Sequence, residues 1–158
     1  MRITFLGHSC FLVEAGGSRL LLDPNLSENP QAPIRLEAVN CDYVLVSHGH
    51  EDHSCDAVAI ARRCNATIIA NYELAEYFAA QGAKAHPMNP GGGHAFPFGR
   101  VKLTLAHHTS SVRAGLNPVY LGVPCGLLVQ ADGRTLYHAG DTALFLDMQL
   151  IGRAGLDV

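Results

Sequence analysis

Apolar and polar positions alternate from the first residues of the chain. Ile3–Leu6 and Cys10–Glu14 are short β-rich segments bounded by turn residues and are predicted to be strands, and Gly16-Gly17 supplies a hairpin turn into Arg19–Leu22. Asp23-Pro24 closes that strand, and the Pro- and Asn-containing stretch to about Asn40 is predicted to be mostly loop. Tyr43–Ser47 differs in being a continuous apolar run, the pattern of a strand buried on both faces. It leads into a polar loop, His48–His53, and a helix is predicted from about Ser54 to Cys64. Thr67–Ala70 is a second buried strand. Asn71 stands where it can cap a helix over about Tyr72–Ala80, which Gly82 stops.

In the second half, Pro87–Gly99 holds three prolines and Gly91-Gly92-Gly93 and is predicted to be loop-rich. Val101–Ala106 alternates as a strand. His107 to Pro124 is predicted to be a long loop, which in a compact domain is more often functional than idle. Cys125–Gln130 and Arg134–His138 form a hairpin about Asp132-Gly133, and a helix is predicted from near Thr142 toward Ile151. Strands outnumber helices, and the strand–helix–strand–helix order mid-chain implies an α+β fold with helices outside the sheets. With no repeat, low-complexity tract or linker, residues 1–158 read as a single domain.

Composition narrows the function. The chain is 48% apolar and 16% charged with a net charge of −3, and its 11 Lys and Arg are scattered, so binding to nucleic acid through a basic face is not expected. No apolar run approaches the roughly 20 residues of a membrane span, and the start lacks the hydrophobic run of a signal peptide; the expected location is the cytoplasm. Five cysteines, with no Cys-x-x-Cys pair, argue against a disulfide framework or a zinc ribbon and for reduced thiols packed as small hydrophobes. Histidine is over-represented, with nine. Imidazole is the commonest ligand for transition metals, so their placement is the main question.

Ser47-His48-Gly49-His50-Glu51-Asp52-His53 answers it in part. Residues two apart in extended chain point the same way, so His48 and His50 can converge on one cation. Asp52 and His53 lie where the chain turns into a helix and can face a second cation beside the first. Two such metals share a hydroxide that is a ready nucleophile for hydrolysis. Ala106-His107-His108-Thr109 follows a strand and offers a further ligand; His108 is the favoured one, with His107 in the pocket behind it. In His138-Ala139-Gly140-Asp141-Thr142, a glycine-permitted turn presents Asp141 at an expected helix start, where the carboxylate can bridge two cations.

Taken together, these motifs resemble those of the metallo-β-lactamase superfamily, and more closely the uncharacterised metal-dependent hydrolases related to L-ascorbate-6-phosphate lactonase. The likeness extends to Phe5-Leu6-Gly7-His8-Ser9, Leu22-Asp23-Pro24, His86-Pro87-Met88 and Asp141-Thr142-Ala143-Leu144-Phe145. It implies an αββα sandwich with the metals at one edge of the two sheets. By position, His48, His50 and His108 would hold the first metal, Asp52 and His53 the second, and Asp141 would bridge. His8 would be a catalytic or substrate-contacting residue, Asp52 would also manage a proton, and His138 would support the ligands from behind. His86 and His94 are expected to be plain loop histidines. Zinc is the first choice of metal, with manganese, iron and nickel compatible. The family usually continues for several dozen residues, with further strands, a helix and a final histidine for the second metal. The chain is therefore expected to lack these C-terminal elements, and to exist as an oligomer or to be completed by a complementary C-terminal fragment.

The function expected is hydrolysis of a small ester, lactone or phosphorylated molecule. A non-catalytic metal-binding or regulatory protein is the alternative, and a thiol redox protein using Cys55 or Cys64 is disfavoured because no resolving pair lies nearby.

Overall fold

The computed structural model describes the backbone of residues 1–158 and every side chain but that of Ala114. A six-stranded sheet is ordered β1 (Arg2–Phe5), β2 (Phe11–Ala15), β3 (Ser18–Leu22), β4 (Tyr43–Leu45), β5 (Thr67–Asn71) and β6 (Lys84–Met88). A second, four-stranded sheet is ordered β12 (Arg134–His138), β11 (Cys125–Ala131), β8 (Gly99–Leu105) and β7 (Gly93–Phe96). β9 (Ser111–Ala114) and β10 (Asn117–Tyr120) form a separate two-stranded hairpin.

Strand periodicity explains the layering. Leu20, Leu22, Leu45 and Ile69 face the second sheet and pack with its Val101, Leu103, Leu127 and Val129. Their neighbours Leu21, Val44, Val46, Ile68 and Ala70 point the other way, toward the helices. Strands β3 to β5 are thus apolar on both faces, as buried parallel strands require. Each fully buried Leu or Ile contributes about 1.5–3 kcal/mol relative to exposure.

Helix α2 (Ala57–Cys64) turns Ala57, Ile60 and Ala61 inward, and Asn65 ends it in the left-handed conformation. Helix α3 (Tyr72–Ala80) buries Leu74, Ala75 and Phe78, and the Asn71 side chain caps it by accepting from Leu74 N, as predicted. The mixed sheets and few helices are those of the α+β sandwich expected.

Several elements differ from the sequence reading. The helix after the histidine loop starts earlier and is broken: α1 spans Glu51–Ser54, and α2 begins only after Cys55-Asp56. The break is set by the Asp56 carboxylate, which turns away to accept from Leu26 N, Ser27 N and Ser27 Oγ at 2.6, 2.9 and 2.6 Å. Pro87–Gly99 contains β7 and the end of β6; a proline is tolerated there because β6 is an edge strand. His86 and His94 accordingly lie on strands, their rings 4.3 Å apart. The long loop after His107 contains the β9–β10 hairpin. The final helix, α4 (Met148–Gly152), is far shorter than expected, and Asp141 does not start it. Thr142 Oγ accepts from His107 N and Ala143 N donates to His107 O, so this segment is tied to the neighbouring loop instead of coiling.

Candidate metal centre

Strands β1, β3 and β4 run in one direction within the first sheet, and β8 and β12 share a direction within the second. Their carboxyl ends deliver His8, Asp23, the His48–His53 loop, His107-His108 and His138–Asp141. Residues as far apart as His8 and Asp141 thereby reach one edge of the sandwich.

His48 and His53 are fully buried there. Ser47 Oγ donates to Asp23 Oδ2 at 2.6 Å, which leaves it to accept from His48 Nδ1 at 3.0 Å. The His48 Nε2 lone pair is then aimed at His50 Nδ1, 3.0 Å away. Burial, followed by the neighbouring His53, pushes the His48 pKa down to about 4, so the ring is neutral and able to ligate. The His48, His50 and His108 rings cluster nearly perpendicular to one another, with centroids 4.6, 5.1 and 5.0 Å apart. Nitrogens that share a tetrahedral zinc at about 2.0–2.1 Å lie roughly 3.3 Å from each other, close to the spacing of the His48 and His50 nitrogens.

The three residues form one of three donor groups whose ligand atoms lie within 4.8 Å of one another; the others are His8, Asp52 and His53, and His48, His53 and Asp141. Asp141 spans the centre, with Oδ1 3.3 Å from His53 Nε2 and Oδ2 3.6 Å from His108 Nε2. His53 Nδ1 is 2.9 Å from Asp23 Oδ2, while its buried Nε2 has no hydrogen-bond partner. Burial alone would lower the His53 pKa, but Asp23, Asp141 and Asp52 outweigh it and raise it. The carboxylates around that orphaned nitrogen therefore favour a positive charge at this spot, which a bound cation satisfies with the ring neutral. The donor set fits a divalent metal.

The structure thus brings together all the residues proposed from sequence as ligands, His48, His50, Asp52, His53, His108 and Asp141. It adds His8 to the Asp52–His53 side, its Nε2 3.1 Å from Asp52 Oδ2. His107 instead stacks on Phe145, centroids 4.6 Å apart.

Asp23 went unassigned from sequence beyond ending a strand. It is fully buried and held in the left-handed region at φ 43°. Its Oδ1 accepts from Ser47 N at 2.7 Å, and its Oδ2 meets Ser47 Oγ, His53 Nδ1 and His138 Nε2 at 2.6, 2.9 and 2.8 Å. Burial would raise its pKa; facing His138 and His53 overrides this and holds the carboxyl well below the usual range. The available signal was an acid directly after three buried leucines, at the end of a strand whose parallel neighbour β4 leads into the histidine loop.

The beta-lactamase superfamily domain matches residues 11–158. The chain is 52% identical over 159 residues to a UPF0173 metal-dependent hydrolase of Opitutus terrae, covering 100% of this chain and 70% of that protein. It is 54% identical over 152 residues to one of Carboxydothermus hydrogenoformans, covering 96% and 66%. The chain belongs to the UPF0173 metal-dependent hydrolases of the beta-lactamase superfamily. A solved structure with the same architecture is Igni18, a metallo hydrolase from Ignicoccus hospitalis, 36% identical with a TM-score of 0.83 over 96% of this chain. This UPF0173 chain spans 65% of Igni18, so about two thirds of the length of its relatives is represented. Among its described residues, no helix is long and apolar enough to cross a membrane.

The cysteines play no part in the centre. All five are free. Burial pushes Cys10, Cys41 and Cys125 up to about 12, which leaves them as protonated hydrophobes and not nucleophiles.

Proposed function

We propose that this UPF0173 chain carries a dinuclear metal centre that hydrolyses a small ester, lactone or phosphorylated molecule. The observation that supports it most is the convergence of three donor groups linked through His48 and His53, with the orphaned His53 Nε2 between two carboxylates. His48, His50 and His108 would hold one ion and Asp52 and His53 the other, with Asp141 reaching both. Zinc is the first choice by donor set, with manganese, iron and nickel compatible. When bound, such ions make water nucleophilic at neutral pH and polarise the scissile group.

The chain's own residues do the rest. Asp23 and Ser47 fix the tautomers and orientations of His53 and His48. His8 and Asp52 are both about half exposed and meet at 3.1 Å, a contact through which His8 Nε2 would pass a proton to a departing oxygen. The free cysteines fit a reducing compartment, the cytoplasm.

The test is metal content by plasma mass spectrometry, paired with hydrolysis of generic esters and phosphodiesters by the wild type, His50→Ala and Asp141→Asn. The expected result is close to two ions per chain and a loss in both variants beyond the ~10–100-fold typical of a supporting residue. Hydrolysis that survives both changes overturns the reading. Bound metal without turnover would favour a metal-binding or regulatory role.

A further inference from the structure

Two clefts open beside the centre, and one cation stands in both. The larger, about 700 Å³, is lined by Asn25, Asp52, Val58, Tyr77 and Arg113; the smaller, about 630 Å³, by His50, Asp52, Leu116 and Arg113. Both volumes suit a small organic ligand. Among the described residues Arg113 is the sole Lys or Arg lining either cleft.

Its support is firm. Ser110 Oγ accepts from Gly49 N at 3.1 Å, and a Cβ at Gly49 would lie 3.3 Å from the Ser111 carbonyl, so the start of β9 rests directly on the histidine loop. Along β9 the Val112 side chain is buried in the core. Arg113, the next residue, is exposed and lines both clefts, the larger of them together with the edge of Val112. Elsewhere Arg2, Arg19 and Arg134 pair with Glu14, Asp42 and Asp157. Arg113 has no carboxylate within 4 Å among the described residues, although Glu51 and Asp52 line the same clefts.

We propose that Arg113 anchors an anionic group of the substrate, so that the molecule hydrolysed carries a carboxylate or phosphate away from the bond that breaks. This rests on the hydrolytic reading above. A planar guanidinium meets a carboxylate or phosphate through two parallel hydrogen bonds, a geometry that fixes orientation as well as affinity. Glu28 lines the larger cleft and Glu51 and Asp52 line both, so an anion is repelled from the rest of the wall and its charged end is left to the arginine. The apolar surfaces of Val58, Tyr77 and Leu116 take the uncharged part.

The experiment compares the zinc-loaded wild type, Arg113→Ala and Arg113→Lys in two readouts. The first is the preference for p-nitrophenyl hemisuccinate over p-nitrophenyl acetate, each hydrolysed by one water to an acid and p-nitrophenol. The second is calorimetric binding of succinate and, separately, of glycerol 2-phosphate, which needs no turnover and tells a carboxylate site from a phosphate site. Arg113→Ala is expected to reduce the preference and weaken binding of at least one anion by ~10–100-fold, the range for a charge-assisted pair. Arg113→Lys is expected to recover part of both. Equal anion affinities in the wild type and Arg113→Ala overturn the proposal whether or not either ester turns over. Absence of turnover with Arg113-dependent anion binding would leave the proposal standing and count against the hydrolytic reading alone.

Discussion

At the scale of single residues, the centre depends on a carboxylate that touches no substrate. Asp23 Oδ2 faces three donors at 2.6 to 2.9 Å. In Asp23→Asn, an amide NH2 facing those donors could accept from none of them. Breaking such a buried set typically costs 3–5 kcal/mol, and losing the partner behind a ligating histidine costs about 10–100-fold in metal affinity. Competition with a chelator should show that weakening; unchanged affinity would mean that Asp23 only packs. Why the ligands were legible and Asp23 was not follows from spacing. His48, His50, Asp52 and His53 are adjacent in sequence, whereas the partners of Asp23 lie 24, 30 and 115 residues away. Only the topology unites them.

Cys55 gives a second test at this scale. It is exposed, yet burial of its sulfur and the neighbouring Asp56 push its pKa up to about 11. At pH 8 only about one molecule in a thousand is then thiolate, against roughly a quarter for a free cysteine of pKa ~8.5. Alkylation by iodoacetamide, followed by mass spectrometry, should run at least ~100-fold slower than for free cysteine. It should gain about tenfold per pH unit up to about 11, because raising the pH removes the proton that blocks reaction. Fast labelling at neutral pH would revive the thiol reading set aside from sequence.

Among the elements, what could be read in advance was what repeats. The strands over β1–β5, the β11–β12 hairpin and helix α3 with its Asn71 cap announce themselves by period and turn residues. The elements misread are those whose shape is decided by partners. The segment after Asp141 has a helical composition but is held open by two hydrogen bonds to His107. The β9–β10 hairpin carries a proline and lies outside both sheets. Gly140, between β12 and Asp141, has φ 60°, and a Cβ there would sit 2.8 Å from Ser47 Cβ and Oγ. Gly133 has a similar φ of 68° and open space around it. Gly133→Ala therefore meets only the left-handed backbone penalty of about 1–2 kcal/mol. Gly140→Ala adds a steric contact that displaces Ser47 and should cost about 2–4 kcal/mol, or a melting temperature lower by roughly 5–15 °C. Equal shifts in the two variants would show that Ser47 yields freely.

For the whole molecule, the two faces of the sandwich differ in how well they are covered. Helices α2 and α3 close the outer face of the first sheet, whereas the second sheet meets only α4. Between α4 and that sheet lies an apolar cleft of about 310 Å³ lined by Leu105, Leu128, Phe145, Leu150 and Ile151. Leu144 and Leu146 nearby are 91% and 77% exposed. The outer edge of β12 is engaged only through Asp157 and Val158, which bond to Thr135 and Tyr137. A strand edge covered by only two residues, beside exposed leucines, is a surface that binds other chains. Burying four such side chains yields of order 8 kcal/mol gross at ~2 kcal/mol each, against an association cost of about 4–15 kcal/mol. The balance predicts weak, concentration-dependent self-association. Light scattering across a dilution series should show an average mass above the 16.9 kDa of one chain that falls on dilution. Leu146→Ser with Leu150→Ser should shift the equilibrium to monomer with metal content unchanged, since neither residue belongs to the donor groups. A wild-type chain that is monomeric throughout would mean that α4 shields this face better than its five residues suggest. Loss of metal together with the oligomer would mean instead that contact between chains holds the second sheet, and with it His108 and Asp141, in place.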